Sequence, residues 1–149
     1  MAYGSIVVGT DGSETAGRAV AAAAELAAAD AARLVVVTAY TPGSDGRDYP
    51  SDVVPTDIRY VLTDRVQAEE LAEGGRQAAR DAGVRKVTVQ ALPGDPGEVL
   101  LEAAKDFDAD LIVVGSRGLT SHAHFILGSV AASVAHHAPC DVLIAHTTS

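Results

Sequence analysis

Two glycine-rich segments carry the residues whose types and spacing could bind an anion. Residues Gly9–Gly12 follow one apolar run, residues Gly115–Gly118 follow another, and Gly128–Ser129 comes after nine further residues. Glycine backbones reach φ > 0 and permit close approach, so their amides can form an anion-binding nest. A helix that begins at Ser129 adds unpaired N–H groups and a positive dipole end. This pattern predicts a phosphate site that needs no lysine.

The same residues also have purely structural interpretations. Glycine is the default turn residue, so Gly115 and Gly118 alone would indicate only a turn. Asp11 can close an Asx-turn without any ligand. Arg117 fits a phosphate contact and a solvated surface position equally well. The complete spacing, after a buried strand and ahead of a helix start, favours the anion site for the glycines.

The elements that must position these residues alternate between strands and helices. Unbroken apolar runs predict buried strands, and the alanine-rich and periodic segments between them predict helices. Strands without polar alternation indicate a parallel sheet covered on both faces, so the fold class is α/β with five strands. The predicted strands are Ser5–Gly9, Arg33–Tyr40, Val87–Leu92, Leu111–Gly115 and Val142–Ala145. The predicted helices are Glu14–Ala29, Asp57–Asp81, Gly97–Phe107 and a short one from Ser129 to His137.

Two segments of this pattern are unusual. Residues Thr41–Thr56 hold several prolines and glycines, which predicts a long loop. Gly74-Gly75 interrupts the second helix and marks either a close crossing or a break into two helices. In open α/β sheets, ligands bind beyond the carboxyl ends of the strands, where the strand order reverses. Both glycine-rich segments stand at such strand ends.

Composition bounds the class of protein. The chain has 149 residues, with 11 basic and 20 acidic side chains, and a formal net charge of −9. Only Lys86 and Lys105 carry ammonium groups and the arginines are scattered, which argues against a nucleic-acid partner. We expect one domain over residues 1–149. The N-terminus lacks a signal-peptide pattern and no run is long enough to span a membrane, so we expect a cytoplasmic protein.

The other reactive side chains favour structural roles. His122 and His124 have no cysteine or carboxylate pair at ligand spacing, which favours exposed histidines over a metal site. Cys140 is the single cysteine, so no intrachain disulfide forms. Its position at the start of a predicted buried strand favours an inert core thiol over a redox thiol. Gly-x-Gly-x-x-Gly and P-loop motifs are absent from the sequence.

Nearly the whole chain resembles the universal stress protein family, in its ATP-binding branch. Four segments carry the resemblance: residues 6–13, 109–115, 127–131 and 137–144, together with the spacing of Gly115, Gly118 and Gly128-Ser129. The resemblance implies a Rossmann-like, doubly wound parallel sheet with strand order 3-2-1-4-5, of the adenine nucleotide alpha hydrolase type. The order reverses between the first and fourth strands.

The resemblance also implies a nucleotide site. Asp11 would lie at the ribose or at a phosphate-bound Mg²⁺, and Thr10 and Ala39 would flank adenine or ribose through the backbone. The segment from Gly115 to Gly118 would line the ribose and phosphate, and the start of the last helix would receive the phosphates. The predicted nucleotide-binding residues are Gly9, Thr10, Asp11, Ala39, Gly115, Ser116, Arg117, Gly118, Gly128, Ser129, Val130 and Ala131.

The function implied is that of a ligand-dependent regulator that binds ATP and does not turn it over. A weak ATPase remains open, with Ser129 or Ser116 as phosphate acceptors, and so does a ligand-free dimeric interaction module. His122 and His124 stand where family members often carry basic residues, and the C-terminal segment resembles an actinobacterial subgroup that binds cyclic AMP. ATP, AMP and cyclic AMP therefore stay open as ligands. The resemblance further implies a homodimer formed through the last strand, Asp141–Ala145.

Overall fold

The computed structural model describes residues 2–40, 55–116 and 128–146, with the side chains of residues 55–64 left aside. Strands and helices alternate along the described chain. In chain order they are β1 (Ser5–Gly9), α1 (Glu14–Asp30), β2 (Arg33–Tyr40), α2 (Pro55–Asp81), β3 (Val87–Pro93), α3 (Pro96–Asp106), β4 (Leu111–Gly115), α4 (Ser129–His137) and β5 (Asp141–Ala145). No helix within these residues is long and apolar enough to cross a membrane.

All five strands form one parallel sheet in the order β3-β2-β1-β4-β5. The central strand β1 pairs with β2 on one side and with β4 on the other, and Val7 lies opposite Val35 and Ile112. The predicted α/β class and the order 3-2-1-4-5 are therefore confirmed. The order reverses between β1 and β4, whose carboxyl ends carry the two glycine-rich segments.

The central strands β1, β2 and β4 are mostly apolar because both faces of the sheet are covered there, whereas β3 and β5 at the edges are only partly buried. On β1, Ile6 and Val8 point into the layer beneath α1 and α2, while Val7 points into the layer beneath α3 and α4. All three side chains are fully buried. Alternate residues of one strand thus fill two separate cores, which rigidly holds the strand ends that carry the site.

Helix starts are fixed by local capping. Ser13 caps α1 as predicted, since its hydroxyl accepts a hydrogen bond from the Ala16 amide at 3.1 Å. Asp95 caps α3 by accepting from the Glu98 amide at 3.2 Å, and Pro96 occupies the first turn. The helix α3 therefore begins one residue before the predicted Gly97. Likewise α2 begins at Pro55 rather than at Asp57, since proline fits the first turn of a helix.

The Gly74-Gly75 pair lies inside a continuous helix, so the predicted alternative of a break into two helices is wrong. A Cβ atom on Gly75 would stand 2.6 Å from Cγ1 of Val36 on β2, whereas one on Gly74 would meet nothing within 4 Å. Gly75 is buried and Gly74 is exposed. The pair therefore marks a close crossing of α2 over β2, and only its second glycine makes that crossing.

Asp110 ties the start of β1 to the start of β4. Its carboxylate accepts hydrogen bonds from the Gly4 amide at 2.9 Å and from the Ser5 amide at 3.1 Å. Desolvation acts to raise the pKa of this carboxyl, but the two backbone hydrogen bonds outweigh it. The pKa of Asp110 consequently lies below its usual range.

Candidate functional site

A cavity of about 230 Å³ opens at the carboxyl ends of β1, β2 and β4, where the strand order reverses. Crevices at this position are the usual ligand sites of open α/β sheets. Its walls come from three strand ends and from the first turns of α1, α3 and α4. The lining residues are Gly9, Thr10, Asp11, Ser13, Thr15, Ala16, Ala19, Val37, Ala39, Pro96, Val99, Leu100, Val114, Gly115, Gly128, Ser129, Val130 and Ala131.

The cavity brings together nearly all of the site residues predicted from the sequence. Within the described residues, only Ser116 of that set does not line it. Arg117 and Gly118 lie outside the described residues, as do His122 and His124. The predicted residues that line the cavity are Gly9, Thr10, Asp11, Ala39, Gly115, Gly128, Ser129, Val130 and Ala131.

Backbone hydrogen bonds of Ser116 connect three of the elements next to the cavity. Its N–H donates to the Ala145 carbonyl of β5 at 2.9 Å, and its carbonyl accepts from the Gly128 N–H at 2.9 Å. One residue thus joins the end of β4, the end of the edge strand and the start of α4. Ser116 is therefore a positioning residue in this structure and not part of the cavity wall.

The first turn of α4 lies against the cavity with its backbone N–H groups. Its first three residues, Ser129, Val130 and Ala131, all line the cavity. The N-cap residue Gly128 forms no side-chain cap, and the first turn holds no acidic residue. N–H groups in the first turn have no intrahelical acceptor, and the helix dipole places a partial positive charge there. This helix end is suited to hold a phosphate.

The conformation of Gly128 corrects one part of the prediction. Its φ of −61° and ψ of 161° lie in the extended region that any residue adopts, so a positive φ is not the reason for glycine here. The amides available at α4 come from an uncapped helix start and not from a left-handed glycine at its N-cap. Because Gly128 lines the cavity, a side chain at this position would compete with a ligand for space.

The other two helix starts at the cavity are already neutralised. The Ser13 hydroxyl satisfies the Ala16 amide of α1, whose first turn contains Glu14. The Asp95 carboxylate accepts a hydrogen bond from the Glu98 amide of α3, and the Glu98 side chain is the acidic group in the first turn of that helix. Acidic side chains near a helix N-terminus offset the dipole. Of the three helix starts at the cavity, α4 is the one without an acidic residue in its first turn.

Asp11 takes the turn role that the sequence left open, and it also faces the cavity. Its Oδ1 accepts a hydrogen bond from the Ser13 N–H at 2.9 Å, which closes an Asx-turn. The Thr10 hydroxyl supports the same turn by accepting from the Gly12 N–H at 3.1 Å. Gly12 has a φ of +80°, a conformation that favours glycine. Asp11 is exposed and lines the cavity, so the two roles are compatible.

Sequence reasoning missed the apolar wall of the cavity. This wall consists of two residues of α3, Val99 and Leu100, and two of the sheet, Val37 and Val114. All four are buried, and nothing in their sequence spacing distinguishes them from the other core residues. Thr15, which forms a hydroxyl contact of 3.0 Å with Ser13, was missed as well. Its place two residues after the helix cap was the one signal that could have found it. The missed lining residues are Ser13, Thr15, Ala16, Ala19, Val37, Pro96, Val99, Leu100 and Val114.

The described residues that line the cavity offer backbone donors, hydroxyl groups, one carboxylate and apolar contacts. Among these described residues Asp11 is the one carboxylate, and there is no histidine, lysine, arginine or cysteine. Within the described residues no group of three or more histidine, cysteine, aspartate or glutamate side chains is placed to hold a metal ion. Cys140 lies elsewhere, and burial raises the pKa of its thiol, with Asp141 and Asp110 adding to the effect. This favours the inert thiol.

Comparison with known proteins decides the family. The chain matches the universal stress protein family over residues 2–146. Universal stress protein Rv1636 of Mycobacterium tuberculosis is 40% identical over 147 residues, which cover 99% of both chains. The chain belongs to the universal stress protein family.

Two solved members of the family were crystallised with ligands. A universal stress protein in complex with cAMP is 36% identical, with a TM-score of 0.76, and the match covers 99% of this chain and 100% of that one. The universal stress protein from Archaeoglobus fulgidus in complex with dAMP is 27% identical, with a TM-score of 0.68, and covers 97% and 98% of the two chains. Both ligands are adenine nucleotides with a single phosphate.

Proposed function

We propose that this universal stress protein binds an adenine nucleotide in the cavity at the β1–β4 switch point and acts as a ligand-dependent regulator. One observation carries the proposal. The uncapped start of α4 and the apolar wall formed by Val37, Val99 and Leu100 line the same cavity. A phosphate requires the first feature and an adenine ring the second. The complexes of related proteins with cAMP and dAMP support the same ligand class.

The arrangement divides the nucleotide between the two sides of the cavity. The base packs against the strand ends near Val37 and Ala39, and the phosphate reaches the amides of Ser129 and Val130. The ribose lies between them, beside Asp11. The volume of about 230 Å³ is just below the usual range for small-molecule pockets, about 300–1,000 Å³. It therefore suits one compact nucleotide.

ATP is the ligand that the motif spacing favours, and cyclic AMP is the second candidate. The related cAMP complex supports cyclic AMP. Amides and a helix end can hold the single charge of one phosphate, whereas a triphosphate requires more positive charge. Asp11 is the one carboxylate among the described lining residues, so a Mg²⁺ ion here would be held mainly by phosphate oxygens and water. Mg²⁺ bound with ATP would neutralise part of the phosphate charge.

Regulation fits the lining better than turnover does. Hydrolysis requires a base placed at the attacking water, and in the part of the cavity wall that the structure describes Asp11 is the one titratable side chain. A weak ATPase is the alternative. Multiple-turnover phosphate release that persists through purification and is lost in Asp11→Ala would establish the ATPase and refute pure binding.

The decisive experiment combines two measurements. Mass spectrometry of the small molecules that co-purify with the protein identifies a resident nucleotide, and calorimetric titration ranks ATP, AMP and cyclic AMP against GTP as the control. Gly128→Val is expected to abolish binding, since φ of −61° accepts valine and its side chain occupies the phosphate end. Gly74→Val, on an exposed face of α2, is the matched control and should bind like the parent. Unchanged binding by Gly128→Val would refute the phosphate assignment, and absence of any nucleotide binding would favour a ligand-free module.

A cytoplasmic location and a homodimer through β5 belong to the same proposal. β5 is an edge strand, and Leu143 on it remains 38% exposed. An unpaired apolar edge is an aggregation hazard, and pairing with a second copy would cover it. Light scattering at low protein concentration tests this, because a monomeric mass would refute the dimer.

A further inference from the structure

A second hollow lies at the opposite end of the sheet from the nucleotide cavity. It forms where α1 leads into β2 and where α2 leads into β3, beside the amino ends of those strands. Its volume is about 510 Å³, and seven described residues line it. We call it the amino-end hollow. Its lining residues are Ala27, Ala28, Ala31, Ala32, Gly83, Arg85 and Lys86.

Two of the described residues that line the amino-end hollow are basic and none is acidic, in a protein of net charge −9, although Asp30 and Asp81 end the two helices beside it. Arg85 and Lys86 form its rim, and both are exposed. Neither forms an ion pair with the part of the chain that the structure describes. Arg80 is exposed nearby on the last turn of α2, whereas the guanidinium of Arg76 is already paired with Glu73 at 3.0 Å. The floor is made of alanine, so this is an apolar surface edged with cations.

The backbone around the rim is tightly fixed. The Lys86 carbonyl accepts from the Leu34 N–H at 2.9 Å, and the Val84 N–H donates to the Ala79 carbonyl at 3.0 Å. On the opposite wall Ala31 takes a left-handed conformation with a φ of 54°, which is costly for a residue other than glycine. A partner would therefore meet a preformed surface, and preorganisation lowers the entropic cost of binding.

We propose that the amino-end hollow docks a short acidic peptide segment of a partner protein. One apolar side chain of the peptide lies on the alanine floor, and flanking carboxylates pair with Arg85 and Lys86. Arginine and lysine form charge-assisted hydrogen bonds with carboxylates, and arginine does so with two parallel bonds. The proposal is independent of nucleotide binding, because the hollow and the cavity lie at opposite ends of the sheet.

The distribution of charge on the protein favours an acidic peptide over a nucleic acid as the ligand of the amino-end hollow. The cations of the rim act within a screening length of about 8 Å at physiological salt. A short acidic segment that fits within this distance meets mainly Arg85 and Lys86. A long polyanion extends past them and meets the acidic remainder of the surface, since the chain carries 20 acidic against 11 basic side chains.

The two lysines of the chain provide a matched test. Lys86 lies on the rim, whereas Lys105 is exposed on α3, which packs on the other face of the sheet. Lys86→Glu and Lys105→Glu change the net charge equally. The probe is a fluorescein-labelled peptide, Glu-Glu-Leu-Glu-Glu, titrated against the full-length protein by fluorescence anisotropy. We expect Lys86→Glu to weaken binding by about tenfold or more, the loss of one charge-assisted contact.

The outcomes separate local docking from general electrostatics. Parent-like binding by Lys105→Glu, together with NMR shifts confined to the amides near Arg85, would support the proposal. Equal weakening by both variants would refute it, because net charge alone would then explain the binding. No binding by the parent would also refute it, as would tighter binding of a single-stranded DNA oligomer than of the peptide. Lys86→Ala, the milder change, should weaken binding in the same direction if Lys86→Glu fails to fold.

Discussion

Adding a methyl group to each of the two adjacent glycines of α2 should have opposite effects on stability. Gly74 and Gly75 have the same intrinsic helix propensity, and replacing glycine by alanine within a helix stabilises by about 1 kcal/mol. At Gly74 nothing lies within 4 Å of the added Cβ, so the whole gain should be realised. At Gly75 the Cβ would stand 2.6 Å from Cγ1 of Val36, closer than carbon atoms tolerate.

The cost at Gly75 follows from the stiffness of its neighbour. Val36 is fully buried in β2 and its branched side chain has few rotamers, so it cannot turn away. Overpacking of this kind costs about 1–3 kcal/mol. Subtracting the propensity gain leaves Gly75→Ala neutral to about 2 kcal/mol destabilising, with the two variants separated by about 1–3 kcal/mol.

Urea denaturation monitored by circular dichroism measures this difference. With a typical slope of about 1–3 kcal/mol/M, the midpoints of the two variants should lie roughly 0.5–2 M apart. Equal midpoints would refute the close crossing of α2 over β2. So would a lower midpoint for Gly74→Ala than for Gly75→Ala.

The remaining predictions concern titration, thiol reactivity and the site. The pKa of Asp110 is lower in the folded state, so its carboxylate stabilises the fold above the unfolded pKa of about 3.9, and this contribution is lost as pH falls through the folded pKa. We therefore expect the stability of Asp110→Asn to decline less steeply in acid than that of the parent. Urea midpoints measured from about pH 6 to pH 3 test this. Because the pKa of Cys140 is raised, its thiol should react several-fold more slowly with iodoacetamide in the native than in the unfolded protein at neutral pH, and equal rates would contradict its burial. Gly128→Val should lose nucleotide binding and keep the urea midpoint of the parent, since the backbone conformation of Gly128 accepts valine. A large drop in the midpoint would mean that the variant loses binding because it unfolds.

The strands could be predicted from the sequence because burial on both faces makes them continuous apolar runs. Ile6–Val8 and Leu111–Val114 are such runs, and they are buried as expected. The order of the strands could not be derived in this way, because it depends on pairing between distant segments such as β1 and β4. It came from the family resemblance. The helix starts differ from the predicted ones where a proline occupies the first turn, as at Pro55 and Pro96.

The parts of the candidate site formed by the backbone could be predicted from the sequence. The parts formed by apolar side chains could not. Gly9, Gly115 and Gly128 stand out in a sequence because they mark the ends of apolar runs and the start of a helix in the spacing of an anion site. Leu100 and Val37 do not stand out, since an apolar side chain that lines a cavity looks like one that fills a core. Of the two reasons for glycine given by the sequence, a positive φ does not apply at Gly128, because a sequence shows the residue but not its φ. Close backbone approach to a ligand stays a prediction.

Salt should act differently on the two proposed sites, because one is built from dipoles and the other from charges. The described wall of the nucleotide cavity offers helix amides and no basic side chain, so we expect few counterions to be released when a phosphate binds. The amino-end hollow offers Arg85 and Lys86, whose attraction for carboxylates is screened by salt. Raising salt from about 50 to about 200 mM shortens the screening length from roughly 14 to 7 Å. We expect peptide affinity to fall several-fold over this range while nucleotide affinity stays nearly constant. A nucleotide affinity that falls as steeply as that of the peptide would mean that cations, and not the start of α4, hold the phosphate.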